Sequence, residues 1–184
     1  TRPGESVYFH AFNLNKRSLT LDLNAPEGQA ILRELAATSH SVVNNLRGDL
    51  PAKLGVTYAA LKEVNPAIVF CTISGFGQDG PYAAKPAYDD LIQGALAIPS
   101  MVATVGDGVP RYVPVAMIDR TVGLAAVGAV SAALYRREKT GLGQSIDVPM
   151  FETMVPFALG EHMAGQTYEP PTGPPGYARM LSRS

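Results

Sequence analysis

The chain has 184 residues, a net charge of −1, 46% hydrophobic residues and 17% charged ones. That is one domain's worth of chain with a substantial core. The balanced charge excludes a strongly basic nucleic-acid-binding stripe, and the hydrophobic content excludes a disordered acidic tail.

The first residues, TRPGESVYF, lack the basic region followed by an apolar one that marks a signal peptide, and a loop-like start without Met reads as a fragment. SLTLDL (Ser18 to Leu23) alternates apolar and polar residues as a half-buried strand does. Asn24, with Glu27 three residues later, makes a capping-box-like start for a helix running to about Thr38. SVVNNL (Ser41 to Leu46) predicts a second strand, and a short helix is expected from about Thr57 to Val64. AIVFCTIS (Ala67 to Ser74) reads as a fully buried strand of the parallel kind. Its Cys71 is the chain's one cysteine, so it forms no intrachain disulfide and suits a core position and a reducing, cytoplasmic setting.

Strands alternating with helices argue for βαβ units and an α/β sheet. Beyond the third strand come a helix from about Asp89 to Met101, a Gly/Pro-rich hairpin or loop around Gly106 to Pro110, and a long helix. No residue between Arg120 and Arg136 is charged, so this helix shows no polar face and is expected to be buried. Its uncharged run is shorter than the roughly 20 residues a bilayer needs, so no membrane span is expected. Arg136, Arg137 and Lys139 in the last turn and Gly141 beyond it are stop signals. The strand QSIDV and a helix from about Phe151 to Gly165 follow. Four prolines lie between Pro170 and Pro175, a composition that behaves as an extended linker.

Asp119 opens the long helix. It is either an N-terminal cap, favoured there by roughly 0.3–1 kcal/mol, or a functional carboxylate. GFGQDG (Gly75 to Gly80) spells GxGxxG after a strand, but Pro81 and Lys85-Pro86 break the helix a dinucleotide site requires. The alternative is a glycine turn that lets the chain pass close to a ligand at a strand's C-terminal edge. Lys16 and Arg17 are either a solvated strand end or phosphate ligands. Asn45, Arg47 and Lys53 repeat that pattern around the next turn. His10, His40 and His162 have no metal-ligand spacing, and no GxSxG, HExxH or CxxC occurs, so no metal is expected.

Taken together, NLNKRSLTLDLNAPEG, NNLRGDLPAKLG, NPAIVFCTISGFGQDGPY, PAYDDLIQGA and the run from Asp119 through TGLGQSIDVPMFE resemble the family III CoA-transferases, the CaiB/BaiF type that includes formyl-CoA and carnitine CoA-transferases. The resemblance implies a Rossmann-like large domain with an open parallel sheet, incomplete at both ends. Residues 1–165 would be part of that domain, and residues 166–184 a Pro/Gly-rich linker toward a small domain. Members are roughly twice as long, so the first strand and helix, a glutamine they carry and the small domain with its glycine loop would lie outside this chain.

By the same resemblance Asp119 is the nucleophile, attacking an acyl-CoA thioester so that CoA passes to a free carboxylic acid through anhydride and aspartyl-CoA intermediates. Coenzyme A would be the co-substrate. Lys16 and Arg17 would approach its nucleotide portion, and Asn45 and Lys53 would line the same groove, with Lys53 where relatives often carry Arg. Tyr88 would stand beside the reacting centre, and Gly75 and Gly77 would form the wall around the thioester. An interlaced homodimer is implied. The α-methylacyl-CoA racemases are similar too, but they use a histidine where this chain has Ala87, Tyr88 and Asp89. Tyrosine is a poor substitute for an imidazole near neutrality, which favours the transferase. A third reading is a truncated, non-catalytic CoA-binding fragment.

Overall fold

The computed structural model describes residues 6–181. Strands β1 (Ser41–Asn44), β2 (Val69–Ser74) and β3 (Gln144–Pro149) form one parallel sheet in the order β1-β2-β3. Both faces of the central β2 are covered, which is why its inner residues Val69, Phe70 and Cys71 are all buried instead of alternating. Val43, Cys71 and Ile146 are in register across the three strands. Phe70 packs with Ala36 of α2 (Pro26–Thr38) and Leu61 of α4 (Tyr58–Lys62). Cys71, on the opposite face, joins a larger core. That core holds Ile92 of α5 (Asp89–Ala95), Ile118 and Val122 of α7 (Met117–Thr140), and Met154 of α8 (Met150–Met163).

Two short helices complete the chain's first half: α1 (Val7–Phe12) and α3 (Leu50–Lys53). The second half also carries α6 (Ile98–Val105) and α9 (Ala178–Leu181). Thr57 caps α4 by accepting the Ala60 N–H at 3.2 Å. In the TGLGQ turn, a Cβ on Gly143 would lie 2.1 Å from the Ile68 carbonyl oxygen, so only glycine lets β3 run in beside β2. The expected α/β class with an open parallel sheet is what the chain forms.

Several elements differ from expectation. Ser18–Leu23 makes no strand, because the described residues offer it no ladder partner. Its alternation instead reflects an extended segment with Leu23 against the α2–α4 core and Leu19 in solvent. The capping box does not form either: Asn24 turns back to Asp22, and α2 starts on Ala25 with Pro26 in its first turn. The helix predicted from Asp89 to Met101 is two, broken at Ala97, which has φ 57°, just ahead of Pro99. Beyond α8 the proline segment folds back instead of extending. The Thr172 N–H reaches the Gly165 carbonyl at 3.0 Å, and the Gly176 N–H reaches that of His162 at 2.6 Å.

The long helix departs most. Gly141 terminates α7 in the left-handed region at φ 73°, with its N–H on the Arg137 carbonyl at 2.7 Å. Yet only the stripe Ile118, Val122, Ala126 and Ala133 is buried, while Leu124 is 74% and Val127 64% exposed. An all-apolar helix gives no sign of which side faces the sheet, so full burial was the wrong inference. Counted whole, α7 has 24 residues and a window of mean hydropathy 1.4, which is long and apolar enough by length and composition to cross a membrane. The uncharged run alone is shorter than that, and the helix packs one stripe on the sheet core.

Candidate active site at the C-terminal edge of the sheet

A cavity of about 580 Å³ opens at the C-terminal edge of the sheet, the usual ligand position in open α/β folds. Asn45, Arg47 and Gly48 line it from the end of β1, and Ser74, Gly75 and Gln78 from the end of β2. Lys85 and Tyr88 reach it from the loop before α5, and Asp119 and Gly123 from α7. A second, apolar hollow of about 510 Å³ lies beyond Asp119, between Tyr8 and Phe12 of α1 and Leu124 and Val127 of α7. Asp119 therefore stands on the wall between the two.

Asp119 sits in the first turn of α7 but does not cap it. Ala116 occupies the N-cap position without a side-chain bond, and it is Asp89 of α5 that accepts the Asp119 N–H, Oδ2 to N at 3.0 Å. An acidic group at a helix N-terminus is favourable, so Asp89 supplies from another helix the cap that α7 lacks. The arrangement sets two carboxylates close together. Burial first, and the Asp89 charge second, raise the Asp119 carboxyl above the ordinary aspartate value. By area Asp119 counts as exposed, yet the protein packed around its carboxyl and the neighbouring charge act in the same direction.

The opposite oxygen of Asp89 is held as well: Gln93 Nε2 donates to Oδ1 at 2.6 Å. Gln93 Oε1 in turn accepts the Val113 N–H at 2.9 Å, tying α5 to the segment that leads into α7.

Gly75 explains how Tyr88 and Asp89 reach this place. A Cβ on Gly75 would lie 2.1 Å from the Ala87 Cβ, so the loop before α5 can rest on the end of β2 only because residue 75 has no side chain. The Phe151 N–H donates to the Gly75 carbonyl at 3.0 Å, which fixes this end of β2 to the start of α8. Tyr88 is 67% exposed at the cavity rim.

The remaining sequence candidates are placed differently. Gly77 does not line the cavity; its N–H donates to Glu152 Oε1 at 2.9 Å, pinning the glycine loop to α8. GFGQDG opens no helix, in keeping with the missing dinucleotide context. Lys16 donates to the Phe12 carbonyl at the end of α1, and neither Lys16 nor Arg17 lines the cavity. Lys53 pairs with Asp49 at 2.6 Å on the exposed surface and holds that carboxyl below its usual range. Gln29 bridges the carbonyls of Leu23 and Lys53, at 2.9 and 3.2 Å, so the segment after Arg17 and the Lys53 turn share one edge.

Of the residues that sequence reasoning singled out, the fold brings Asp119, Asn45, Arg47, Gly75 and Tyr88 to one cavity. That reasoning missed Asp89 as the partner of Asp119, Gln93 as the partner of Asp89, and Lys85 as a lining cation. A contact thirty positions away leaves no local signal, and Lys85 read only as part of a Lys-Pro break. Lys85 Nζ lies 3.9 Å from the centre of the Tyr82 ring, which holds its charge at the rim. Among the described residues no cluster of His, Cys, Asp or Glu could hold a metal ion.

Comparisons with known proteins identify the family. The model of CoA-transferase family III matches residues 1–179. The chain is 37% identical over 158 residues to the succinate–glutarate CoA-transferase of Agrobacterium fabrum, covering 86% of this chain and 39% of that protein. It is 39% identical over 148 residues to the formyl-CoA:oxalate CoA-transferase of Streptomyces coelicolor, covering 79% and 35%. The crystal structure of a CAIB/BAIF family protein from Brucella suis superposes with a TM-score of 0.79 at 36% identity, over 93% of this chain and 45% of that one. The chain thus spans less than half the length of the relatives it matches. With family model, relatives and fold in agreement, this chain belongs to CoA-transferase family III.

Proposed function

We propose that the protein moves coenzyme A from an acyl-CoA to a free carboxylic acid, with Asp119 as the covalent nucleophile. One observation carries the reading: Asp119 faces a cavity at the C-terminal edge of the sheet, from the first turn of a helix whose cap comes from a second carboxylate. Relatives named as CoA-transferases for succinate and glutarate, or formyl-CoA and oxalate, support small acids as donors and acceptors.

An Asp119 oxygen attacks the thioester carbonyl, the C–S bond breaks, and CoA leaves as thiolate. The thiolate then attacks the Asp119 carbonyl of the resulting anhydride, releasing the donor acid and leaving an aspartyl-CoA thioester. The acceptor carboxylate repeats the sequence in reverse, so that the acyl-CoA of the acceptor departs and the Asp119 carboxylate is restored. Anhydride and thioester both retain the thioester's energy, so CoA moves without hydrolysis. Acylation also removes the Asp119 charge, relieving its desolvation and its repulsion by Asp89, the two causes of its raised pKa. The chemistry is thus favoured where the resting anion is least comfortable.

Asn45, Gly75 and Tyr88 line the thioester end of the site in this reading, with Arg47 and Lys85 as cations at its rim. Lys16, Arg17 and Lys53 serve the nucleotide end along the exposed edge that Gln29 ties together, and Gly77 shapes the loop through Glu152. Lys53 would then exchange Asp49 for a phosphate, a small cost because an exposed ion pair is worth little. We further propose a homodimer, supported by the exposed Leu124 and Val127 on α7, and a reducing, cytoplasmic setting, supported by the buried free thiol of Cys71. Ala87 and Tyr88 leave no imidazole beside Asp119, so proton exchange at the α-carbon is the weaker reading.

The test is Asp119→Ala in the full-length protein. Loss of transfer with CoA binding retained supports the proposal, and normal turnover overturns it.

A further inference from the structure

Gln93 is the one polar side chain buried among the described residues, at 2% exposure. Ile92 and Leu96, on either side of it in the chain, belong to the apolar core with Ile118 and Val122. A buried amide is costly unless its donors and acceptor are paired, and replacing such a group with an apolar one is often tolerated where it does nothing else. Here each end is committed. Nε2 donates to Asp89 Oδ1 at 2.6 Å and lies 3.4 and 3.5 Å from the Val113 and Val115 carbonyls, while Oε1 accepts the Val113 N–H at 2.9 Å. These contacts join the first turn of α5 to Val113 and Val115 in the segment that leads into α7. The other Asp89 oxygen then holds the Asp119 N–H.

We infer that Gln93 is a positioning residue for the proposed transfer: it fixes Asp89, and through Asp89 the first turn of α7, so that Asp119 is presented to the cavity. The inference rests on Asp119 being the nucleophile. Gln93 lines neither of the two cavities beside Asp119; its effect passes through the chain Gln93, Asp89, Asp119.

The experiment is a double-mutant cycle in the full-length protein, assayed with succinyl-CoA plus glutarate and with formyl-CoA plus oxalate. Gln93→Met keeps the volume and removes the hydrogen bonds; Gln93→Asn, which keeps the amide but shortens its reach, replaces it if the Met variant does not fold. The expected result is a kcat lower by on the order of 10- to 100-fold, the effect of a misplaced reacting group, with KM for the CoA thioester within about threefold. In an Asp89→Ala background the same change costs less than about threefold, because the relay is already cut. Equal losses in both backgrounds, or a folded Gln93→Met enzyme with unchanged kcat, overturn the inference.

Asp119→Ala run in parallel separates the two ideas: if it keeps full activity the nucleophile assignment has failed, whatever Gln93 does. If neither substrate pair turns over, amide hydrogen exchange decides. Gln93→Met should speed exchange at Asp119 relative to Ala126 and Ala133 in mid-helix, with no further gain when Asp89 is also replaced; an unchanged ratio contradicts the relay.

Discussion

Asp89 Oδ2 accepts the backbone N–H of Asp119 at 3.0 Å, so the carboxylate that completes the α7 N-terminus is also the one that burdens the carboxylate beside it. Cap and charge are separable by substitution. Asp89→Asn keeps an acceptor for the helix end and removes the charge, whereas Asp89→Ala removes both. Both should lower the pKa of Asp119 and shift the acid limb of the pH–rate profile to lower pH. Only Asp89→Ala should also cost the 0.5–2 kcal/mol typical of a lost cap, roughly, in chemical denaturation. Identical stabilities for the two variants would contradict the capping role.

The raised Asp119 pKa has a consequence for stability. The folded state binds the Asp119 proton more tightly than the unfolded chain does, so the contribution of this group to stability is fully present below the ordinary aspartate value near 3.8 and is lost as pH rises through the folded-state value. Asp119→Asn should therefore gain on the wild type as pH rises through that window and hold a constant advantage above it. Melting temperatures of the two proteins from acid to neutral pH test this. A difference that does not change with pH would mean that neither burial nor Asp89 acts on the carboxyl.

Gly75→Ala places a methyl group where the Ala87 Cβ already stands. Overpacking of this kind costs about 1–3 kcal/mol, and it should push Tyr88 away from the cavity and Asp89 away from the Asp119 N–H and lower kcat. Ala87→Gly in the same molecule makes room again and should recover most of both losses. Absence of rescue would mean that Gly75 is required for a reason other than spacing.

Arg47 and Lys85 are exposed cations at the cavity rim, and Lys16, Arg17 and Lys53 lie along the outer edge. Replacing any of these five by Ala should raise KM for the CoA thioester and leave kcat nearly unchanged, by about 3- to 30-fold for a single charge-assisted contact. The loss should shrink as salt is added. A variant among them that loses kcat instead belongs to the reacting centre.

Leu124 and Val127 test what covers α7. Leu124→Glu with Val127→Glu on an uncovered surface should change stability by no more than about 0.5 kcal/mol per site. If the proposed dimer buries this face, sedimentation will show the wild type as dimer and the variant as monomer. A variant that remains dimeric places the interface elsewhere.

Much of this was legible in the residues. The buried run of β2, the end of α7 at Gly141 and the glycine close approach at Gly75 each carry a local signature, and the spaced motifs carried the family. What the sequence concealed was relational. Asp89 meets Asp119 across thirty positions and Gln93 meets Val113 across twenty, contacts that only the packing of α5 against α7 and the segment before it creates. The side of α7 that meets the sheet was hidden for the opposite reason: every face of it is apolar, so periodicity had nothing to report. Ser18–Leu23 misled because alternation records half-burial, and half-burial does not require a partner strand.

The most direct test of the central claim is to treat the full-length protein with an acyl-CoA donor, trap with hydroxylamine, and map the modified residue by peptide mass spectrometry. A hydroxamate at Asp119 that appears only when the donor is present is the predicted result. An unmodified Asp119 peptide in an enzyme that is turning over, or a modification at another residue, would contradict covalent catalysis at this carboxylate.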